Sequence, residues 1–443
     1  MKSIACIVLA AGEGTRMKSS LPKVMHPLAG RSMAAHVLAA ASSLEPELMC
    51  AVIGPHMESV ACEVIDVWPE ATIVVQSKRL GTGDAVKRTL PALEDFTGAV
   101  LVLFGDTPLV TPESLAALQQ AVESGIAVAV LGFRAANPTG YGRLITDEGS
   151  TLVAIREEAD ASDSEKRINL CNSGVMAFDG SKLAGFINAL DSNNAKGEFY
   201  LTDAVAIAHS QGLQMAVVEC PENEVLGVNS RAQLAVAEAA IQDRLRAAAL
   251  DAGATLISPE TVFFSHDTKL GRDVVVEPNV VFGPEVHIED NVRIRAFCHI
   301  EGAQIKSRAE IGPYARLRPG TVIGPAAKVG NFVEMKNTDF GGGAKANHLS
   351  YVGDAVIGTN TNIGAGVITC NYDGFRKSRT EIGANAFVGS NSSLVAPLKI
   401  GEGAYIGSSS VITRDVSAKA LALTRSPHKE IAGWAGKRKN KSK

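Results

Sequence analysis

The sequence predicts two domains of different architecture: an α/β domain built on a largely parallel sheet and, after it, a parallel β-helix. Residues 1 to about 228 alternate short apolar runs with helical patterns, as parallel sheets with connecting helices do. After residue 251 apolar residues recur at every sixth position, which is the repeat of a β-helix. The length of 443 residues agrees with this division, because single cores seldom grow beyond about 250–300 residues.

Apolar runs in the first part predict buried strands at IACIVLA, LMCAVI, TIVV, AVLVLF and IAVAVLGF, with helical patterns between them, for example over residues 32–43 and 111–124. Ligands of such sheets bind beyond the carboxyl ends of the strands. The loop LAAGEGTRMKSSLPKVM follows the first run, and its glycine N–H groups, together with Arg16 and Lys23, are suited to phosphates. A simple strand-to-helix turn is the alternative interpretation.

Asp106 is a candidate magnesium ligand, since it follows the run Ala99 to Phe104. A carboxylate at the carboxyl end of a strand suits Mg²⁺, which takes oxygen ligands and keeps substrate phosphates in its shell. Helix capping or turn formation would explain the same residue.

The segment between the two patterns predicts a connecting helix. Residues 231–250 are rich in strong helix formers and space Leu234, Ala237, Ile241 and Leu245 at intervals of three and four. The predicted organisation is residues 1–230, the helix 231–250, the β-helix 251–430, and a basic tail, 431–443.

The β-helix prediction depends on rows of apolar residues six apart. The rows are Leu270, Val276, Phe282, Ile288, Ile294 and Ile300; Val274, Val280, Val286, Val292 and Cys298; Ile305, Ile311, Leu317, Ile323 and Val329; and Ile382, Val388, Leu394, Ile400, Ile406 and Ile412. Segments 335–351 and 367–381 interrupt the rows and carry His348, Asn371 and Tyr372. Loops that leave a regular repeat often carry function. From the period alone, a scaffold or oligomerisation role is the favoured interpretation.

Composition narrows the classes of protein to consider. Hydrophobic residues make up 46% and charged residues 20%, which suits packed cores. A net charge of −4 gives no reason to expect nucleic acid as a partner. Seven irregularly spaced cysteines match neither a disulfide framework nor a zinc site, so reduced thiols in the cytoplasm are expected. No run approaches the roughly 20 apolar residues of a membrane helix, so no membrane insertion is expected.

Ordered motifs resemble a known family. LAAGEGTRMKSSLPKVMHPLAG, QSKRLGTGDA, FGDTP, PTGYGR, CNSGVMAF, GEFYLTD and GVNSR occur in the order seen in sugar-1-phosphate nucleotidyltransferases. With GPYARLRPG, NFVEMKN, HLSYVGDA, NIGAGVITCNYDG and FVGSNSSLVAP after them, the chain resembles the bifunctional bacterial N-acetylglucosamine-1-phosphate uridylyltransferase/glucosamine-1-phosphate N-acetyltransferase family over about residues 3 to 430. The resemblance implies a Rossmann-like nucleotidyltransferase domain and a left-handed parallel β-helix of hexapeptide repeats.

For the first domain the resemblance implies uridylyl transfer from UTP to N-acetylglucosamine 1-phosphate, with Mg²⁺ and release of pyrophosphate. Arg16 and Lys23 would act on the phosphates as catalytic residues, and Asp106 with Asn229 would bind the metal. The residues implied for uridine and ribose are Leu9, Ala10, Ala11, Gly12, Gln76, Gly81 and Thr82. Those implied for the sugar are Gly142, Glu157, Asn172 and Asn229.

For the β-helix the resemblance implies acetyl transfer from acetyl-CoA to glucosamine 1-phosphate, with His348 as general base. Arg318 and Lys336 would bind the sugar phosphate, with Tyr351, Asn362 and Asn371 around the sugar or acetyl group. The acetyl-CoA site would be lined by Ala365, Asn371, Tyr372, Ser390, Ser408 and Arg425. A cytoplasmic homotrimer that supplies UDP-N-acetylglucosamine for the bacterial envelope is also implied.

Three residues depart from the family pattern, and two alternative functions are compatible with the sequence. Phe104 replaces a common tyrosine, Asp84 a common histidine, and Ser408 a common alanine. Asp84 would weaken UTP binding if its carboxylate faced the phosphates. The alternatives are a monofunctional nucleotidyltransferase with a scaffold β-helix, and a non-catalytic nucleotide-sugar sensor. The tail GKRKNKSK is interpreted as solvated, with contact to the phosphates of acetyl-CoA as the alternative.

Overall fold

The computed structural model describes residues 3–147 and 151–434, which form two compact units that divide between Ile241 and Gln242. The division lies within the helix Arg231–Asp251, which begins at the predicted residue and ends one residue later than predicted. In the first unit Glu238 of this helix accepts a hydrogen bond from the backbone N–H of Ala29 (2.9 Å). In the second unit its Leu245 and Ala249 pack against the β-helix core.

The first unit is a sheet with helices. Its strands are β1 (Ile4–Leu9), β2 (Leu48–Ile53), β3 (Thr72–Val75), β4 (Ala99–Phe104), β5 (Val128–Arg134), β6 (Arg143–Thr146), β7 (Leu152–Arg156), β8 (Leu170–Asp179) and β9 (Met215–Glu219), besides the short hairpin Pro27–Leu28 and Arg31–Ser32. Its helices are α1 (Met33–Ser42), α2 (Glu58–Val67), α3 (Thr82–Lys87), α4 (Pro112–Glu123), α5 (Gly180–Ala189) and α6 (Asp203–Ser210), before the boundary helix α7 (Arg231–Asp251).

The sheet has the order β9-β5-β8-β4-β1-β2-β3, and β6 pairs with β8 and β7. Neighbours along the order are parallel except around β8, which runs antiparallel to β4 and β5. Both faces of the sheet are buried: along β1, Cys6 packs in one cluster and Ile7 in another. Such strands are continuous apolar runs, so the predicted largely parallel sheet is confirmed.

Local signals in the sequence set the ends of two helices. The Ser32 hydroxyl accepts from the N–H of Ala35 (3.1 Å) and caps α1. Thr111 caps α4 in the same way, and Pro112 occupies the first turn, where no N–H is needed. The strands β1 and β4 are in register from Ile4 to Leu9, so the loops that follow them leave the same edge of the sheet.

The second unit is a parallel β-helix of short strands. One face consists of Thr255–Leu256, Val275–Val276, Arg293–Ile294, Glu310–Ile311, Lys328–Asn331, Lys345–His348, Asn362–Ile363, Phe387–Val388, Tyr405–Ile406 and Leu421–Ala422. The rest of the coils form one connected sheet of Lys269–Leu270, Val281–Phe282, His287–Ile288, His299–Ile300, Ala303–Ile305, Arg316–Leu317, Thr321–Ile323, Glu334–Phe340, Tyr351–Ile357, Ile368–Cys370, Thr380–Ile382, Ser393–Val395, Leu398–Ile400 and Val411–Ile412.

The predicted apolar rows are the core of this β-helix. Their residues are buried in one continuous cluster, except Leu270, which packs against it partly buried. The turns explain why the period is six: Asp273, Asn279, Glu285, Asn291 and Phe297 recur at that spacing with φ between +58° and +62°. Aspartate and asparagine, three of these five residues, tolerate this left-handed conformation better than most residues, and at each such position the chain turns a corner between short strands.

Candidate active sites

The loops after β1, β3 and β4 enclose a cavity of about 290 Å³ at the carboxyl edge of the sheet. All of the residues implied for uridine and ribose line this nucleotide cavity, together with Lys23 and Asp106. Its other lining residues are Val24, Arg79, Ala85, Phe104 and Glu198. Arg16 is exposed in the adjoining single turn Thr15–Met17 and does not line the cavity.

Lys23 is buried at the wall of the nucleotide cavity, with 8% of its surface exposed. Its ammonium donates to Asp106 Oδ2 and to Asn229 Oδ1, the latter over 2.8 Å. Asn229 is held beside Asp106 because the N–H of the preceding residue, Val228, donates to the Asp106 carbonyl (2.9 Å). One positive charge therefore bridges the two residues that the resemblance implies as metal ligands.

The loop between β1 and Lys23 requires a glycine at position 14. Gly14 has φ +66°, and a Cβ there would lie 2.5 Å from the Cβ of Lys23. Because both the backbone conformation and the close approach exclude other residues, Gly14 allows Lys23 to fold back over the loop. Gly12 is close to the end of the same side chain, with a Cβ position 3.8 Å from Lys23 Nζ.

The oxygens of Asp106 and Asn229 fit a magnesium ion. They converge on one point, which a cation, the Lys23 ammonium, occupies. Carboxylate and amide oxygens are ligands of hard cations, and Mg²⁺ is often held by one or two carboxylates plus substrate phosphates. Within residues 3–147 and 151–434 no three His, Cys, Asp or Glu side chains group to hold a metal.

Arg79 is a cavity residue that sequence reasoning missed. Its Nε donates to the Ala11 carbonyl (2.8 Å), and its guanidinium pairs with Glu13. It therefore ties the loop after β3 to the loop after β1. Its position in KRLGTG, two residues before the implied nucleotide residue Gly81, was the sequence signal that could have identified it.

A second cavity, of about 260 Å³, contains the residues implied for the sugar, Gly142, Glu157 and Asn172. It shares Thr82, Phe104 and Glu198 with the nucleotide cavity, so the two adjoin. Asn229, also implied for the sugar, lies instead with Lys23. Burial raises the pKa of Glu157 above its ordinary value of 4.5, although a hydrogen bond from Thr202 and the charge of Lys196 oppose the shift.

The two departures in this unit have clear positions. Phe104 forms a wall common to both cavities. Asp84 is buried and pairs with Arg88 (3.2 Å) and with the Gln76 amide (2.9 Å). The Arg88 guanidinium neutralises its charge, and Asp84 does not line the nucleotide cavity.

In the second unit, His348 lies at the edge of one β-helix face. It is exposed at the end of the strand Lys345–His348 and pairs in register with Asn331. Its Nδ1 lies 2.6 Å from Asn331 Oδ1. Because that oxygen can only accept, the contact selects the tautomer of the neutral ring in which Nδ1 carries the proton and Nε2 the lone pair.

Three of the residues implied for acetyl-CoA continue the same edge. The register Ala346↔Ile363 places Ala365 over His348, and the registers of the next coils place Ser390 and Ser408 over Ala365. Arg425 approaches this column, since a Cβ at Gly407 would lie 3.6 Å from its guanidinium. Asn362 pairs with Lys345 on the same face. Tyr372 is 60% exposed in a separate loop, where it bridges to Lys377.

A cluster of charges occupies the next face, where Glu334 pairs with Tyr351. Arg318 forms a 2.8 Å ion pair with Glu334, and the ammonium of Lys377 lowers the pKa of Lys336. Burial would raise the pKa of Asp354, but hydrogen bonds from Asn337 and Asn371 and the nearby lysines lower it. The structure thus brings the implied Arg318, Lys336, Tyr351 and Asn371 to one face.

Sequence reasoning missed Asn331, Asp354 and Lys377 at these sites. Asn331 lies 17 residues before His348, and Asp354 lies 17 before Asn371, which in each case is one coil. A search at the coil length would have found both. Lys377 lies in the interruption 367–381, where its charge was the available signal.

Comparison with known proteins gives a domain match for each unit and full-length relatives of one name. Residues 6–168 match the MobA-like NTP transferase domain, and residues 267–302 and 379–414 match bacterial transferase hexapeptide repeats. The chain is 58% identical to the bifunctional protein GlmU of Azorhizobium caulinodans, covering 98% of this chain and 97% of that protein. Proteins of the same name from Paramagnetospirillum magneticum and Bradyrhizobium sp. are 55% and 56% identical, over 98% and 99% of this chain and 96% and 98% of theirs.

The chain belongs to the GlmU family. The two domain matches confirm the predicted fold class, an α/β nucleotidyltransferase domain followed by a left-handed β-helix. Membership favours the bifunctional enzyme over a monofunctional nucleotidyltransferase with a scaffold β-helix. In the part of the GlmU-family chain that the structure describes, no helix is long and apolar enough to cross a membrane.

Proposed function

We propose that the chain catalyses two successive reactions of UDP-N-acetylglucosamine synthesis. The β-helix transfers an acetyl group from acetyl-CoA to glucosamine 1-phosphate, and the α/β unit then transfers uridylyl from UTP to N-acetylglucosamine 1-phosphate and releases pyrophosphate. The observation that carries this proposal is the presence of two unrelated constellations, Lys23 with Asp106 and Asn229 in one unit and His348 with Asn331 in the other.

Uridylyl transfer needs alignment and charge neutralisation more than a protein nucleophile. A phosphate oxygen of the sugar attacks the α-phosphorus of UTP, and the bond to the bridging oxygen breaks as pyrophosphate leaves. The adjoining cavities hold the nucleotide and the sugar, with Phe104 and Thr82 between them. Lys23 and Arg16 supply positive charge to the phosphates.

Asp106 and Asn229 are the residues that would hold Mg²⁺. When bound, the metal would neutralise phosphate charge and orient the leaving pyrophosphate. Lys23 occupies the point between these oxygens in the structure and would turn to the phosphates when substrate binds.

In acetyl transfer the amine of glucosamine 1-phosphate attacks the thioester carbonyl of acetyl-CoA, and the carbon–sulfur bond breaks to release the thiol. His348 Nε2 takes the amine proton, while Asn331 holds the opposite nitrogen in the donor state. Arg318 and Lys336 bind the sugar phosphate, with Lys377 as a third cation. The column Ala365, Ser390 and Ser408, with Arg425, Asn371 and Tyr372, binds acetyl-CoA.

The assembly and organisation are part of the same proposal. The domains are residues 1–230, 231–250 and 251–430, followed by the tail 431–443, most of which lies outside the described residues. Hexapeptide repeats suit oligomerisation, and a cytoplasmic homotrimer with acetyl-CoA sites between subunits is proposed.

Two assays on the purified chain test the function. Thiol release is measured from acetyl-CoA with glucosamine 1-phosphate, and pyrophosphate release from UTP with N-acetylglucosamine 1-phosphate and Mg²⁺. Both are expected. Pyrophosphate without thiol would make the β-helix a scaffold, and thiol without pyrophosphate would refute the nucleotide site.

Glu157 gives a pH prediction for the uridylyl reaction. The ionised carboxylate accepts sugar hydroxyl groups better than the neutral acid, by about tenfold in affinity. This advantage is present at neutral pH and is lost as pH falls. Because burial raises the pKa of Glu157, the loss occurs at a higher pH than the range in which an ordinary glutamate protonates. KM for N-acetylglucosamine 1-phosphate is therefore expected to rise there.

The matched variant Glu157→Gln separates this effect from titration of the substrate phosphate, which is common to both proteins. The variant is expected to have the higher KM at neutral pH and to lack the additional rise, so that the two KM values approach each other once Glu157 is protonated. A wild-type profile parallel to that of the variant would show that Glu157 does not bind the sugar.

A further inference from the structure

We infer that Asp84 determines the preference of the nucleotide cavity for uracil over cytosine, by fixing the orientation of the Gln76 side-chain amide. The inference rests on the proposed uridylyl function and assigns a positioning role to a residue that lies outside the nucleotide cavity. Gln76 lines that cavity and is only 4% exposed, so its amide has few ways to satisfy its hydrogen bonds.

The partners of Gln76 determine which amide atom faces which way. Its Nε2 donates to the backbone carbonyl of Gly81 (3.1 Å) and to Asp84 Oδ2 (2.9 Å). A backbone carbonyl and a carboxylate are both acceptors, so only the nitrogen of the amide can face them. A flipped amide would set its oxygen against two acceptors.

The opposite atom, Gln76 Oε1, is thereby the one left for a ligand. Within residues 3–147 and 151–434 it has no hydrogen-bond partner. It is an acceptor and needs an N–H or O–H donor. Uracil carries a proton on N3, whereas N3 of cytosine is an acceptor, so the fixed amide pairs with the first base and opposes the second.

Asp84 is itself held in place. It is 6% exposed on α3, and its second oxygen accepts from the Arg88 guanidinium (3.2 Å). Gly81, the other anchor, is fixed by the backbone: it has φ +110°, and a Cβ there would lie 2.5 Å from the Phe199 carbonyl. Both acceptors around Gln76 are therefore held by contacts of their own, and of these Asp84 is the one that a side-chain substitution can remove.

The test compares kcat/KM for UTP and CTP, measured as pyrophosphate release with N-acetylglucosamine 1-phosphate, in the full chain and in two variants of similar size. Asp84→Leu removes the acceptor and is expected to reduce the UTP:CTP ratio about tenfold or more, because the amide then flips against one acceptor instead of two. Asp84→Asn keeps an acceptor oxygen and is expected to retain most of the ratio. Partial loss of folded protein lowers both rates by the same factor, so the ratio reports on the folded fraction whatever its amount.

An unchanged ratio in Asp84→Leu would overturn the inference. Gln76→Leu supplies a second measurement that does not depend on how position 84 tolerates substitution: it should lose the preference for UTP, and a retained preference would equally overturn the inference. If the wild type turns over UTP, either of these results leaves the proposed function intact. Absence of turnover with any nucleotide in the wild type would instead refute that function, and this inference with it.

Discussion

Replacing His348 with alanine is expected to lower acetyl transfer by about 10²–10⁴-fold, the usual contribution of a general base. The side chain is exposed at the end of its strand, so its loss removes the Nε2 lone pair without opening the core. Thiol release from acetyl-CoA measures the loss. Pyrophosphate release by the same preparation should be unchanged, because the nucleotide cavity lies in the other unit.

The matched control is His299→Ala, another exposed β-helix histidine, on a different face, which should leave both activities intact. Asn331→Ala should lower thiol release less than His348→Ala, since it frees the imidazole tautomer without removing the base. Equal loss of both activities in His348→Ala would contradict the two-site account.

Replacing Asp106 with alanine is expected to have the opposite pattern: uridylyl transfer should fall about 10²–10³-fold, while acetyl transfer is spared. Within the described part of the chain, Asp106 is the only carboxylate that accepts a hydrogen bond from the Lys23 ammonium, and the substitution removes it. It leaves Lys23 with Asn229 and removes a proposed magnesium ligand. Pyrophosphate release is measured as a function of Mg²⁺ concentration.

Asp66→Ala, at an exposed position of α2, is the control and should not change the Mg²⁺ dependence. Mn²⁺ binding in the presence of UTP, followed by its magnetic resonance signal, gives a readout independent of turnover and should weaken in Asp106→Ala alone. Full Mg²⁺-dependent activity in that variant would remove Asp106 as a ligand.

The six-residue period made the β-helix predictable from the sequence, because each apolar residue of a row faces the core. Val276 and Ile294 are examples, both fully buried. Strand β8 was harder to predict, since its Asn172 and Ser173 lie where the register with β5 shifts, and these polar residues interrupt the apolar run. The hairpin β6–β7 was missed for a similar reason: Arg143 is polar in sequence but is buried and paired with Glu158.

The site residues were predictable as motifs, while their contacts were not. Lys23 and Asn229 are 206 positions apart, and only the folded sheet brings them together. The pairing of His348 with Asn331 depends on a coil of 17 residues. The coil from Ile363 to Val388 is longer, with 25 residues, because it contains the loop around Tyr372. The direction of the Asp84 carboxylate could not be predicted either, because it depends on the side-chain rotamer and on the hydrogen bond from Gln76.

A time course with glucosamine 1-phosphate, acetyl-CoA, UTP and Mg²⁺, followed by mass spectrometry, tests the central claim of two sites acting in sequence. N-acetylglucosamine 1-phosphate should appear first and UDP-N-acetylglucosamine after it, and no UDP-linked sugar should form when acetyl-CoA is left out. Formation of UDP-glucosamine without acetyl-CoA, or an acetylated product that UTP never consumes, would contradict it.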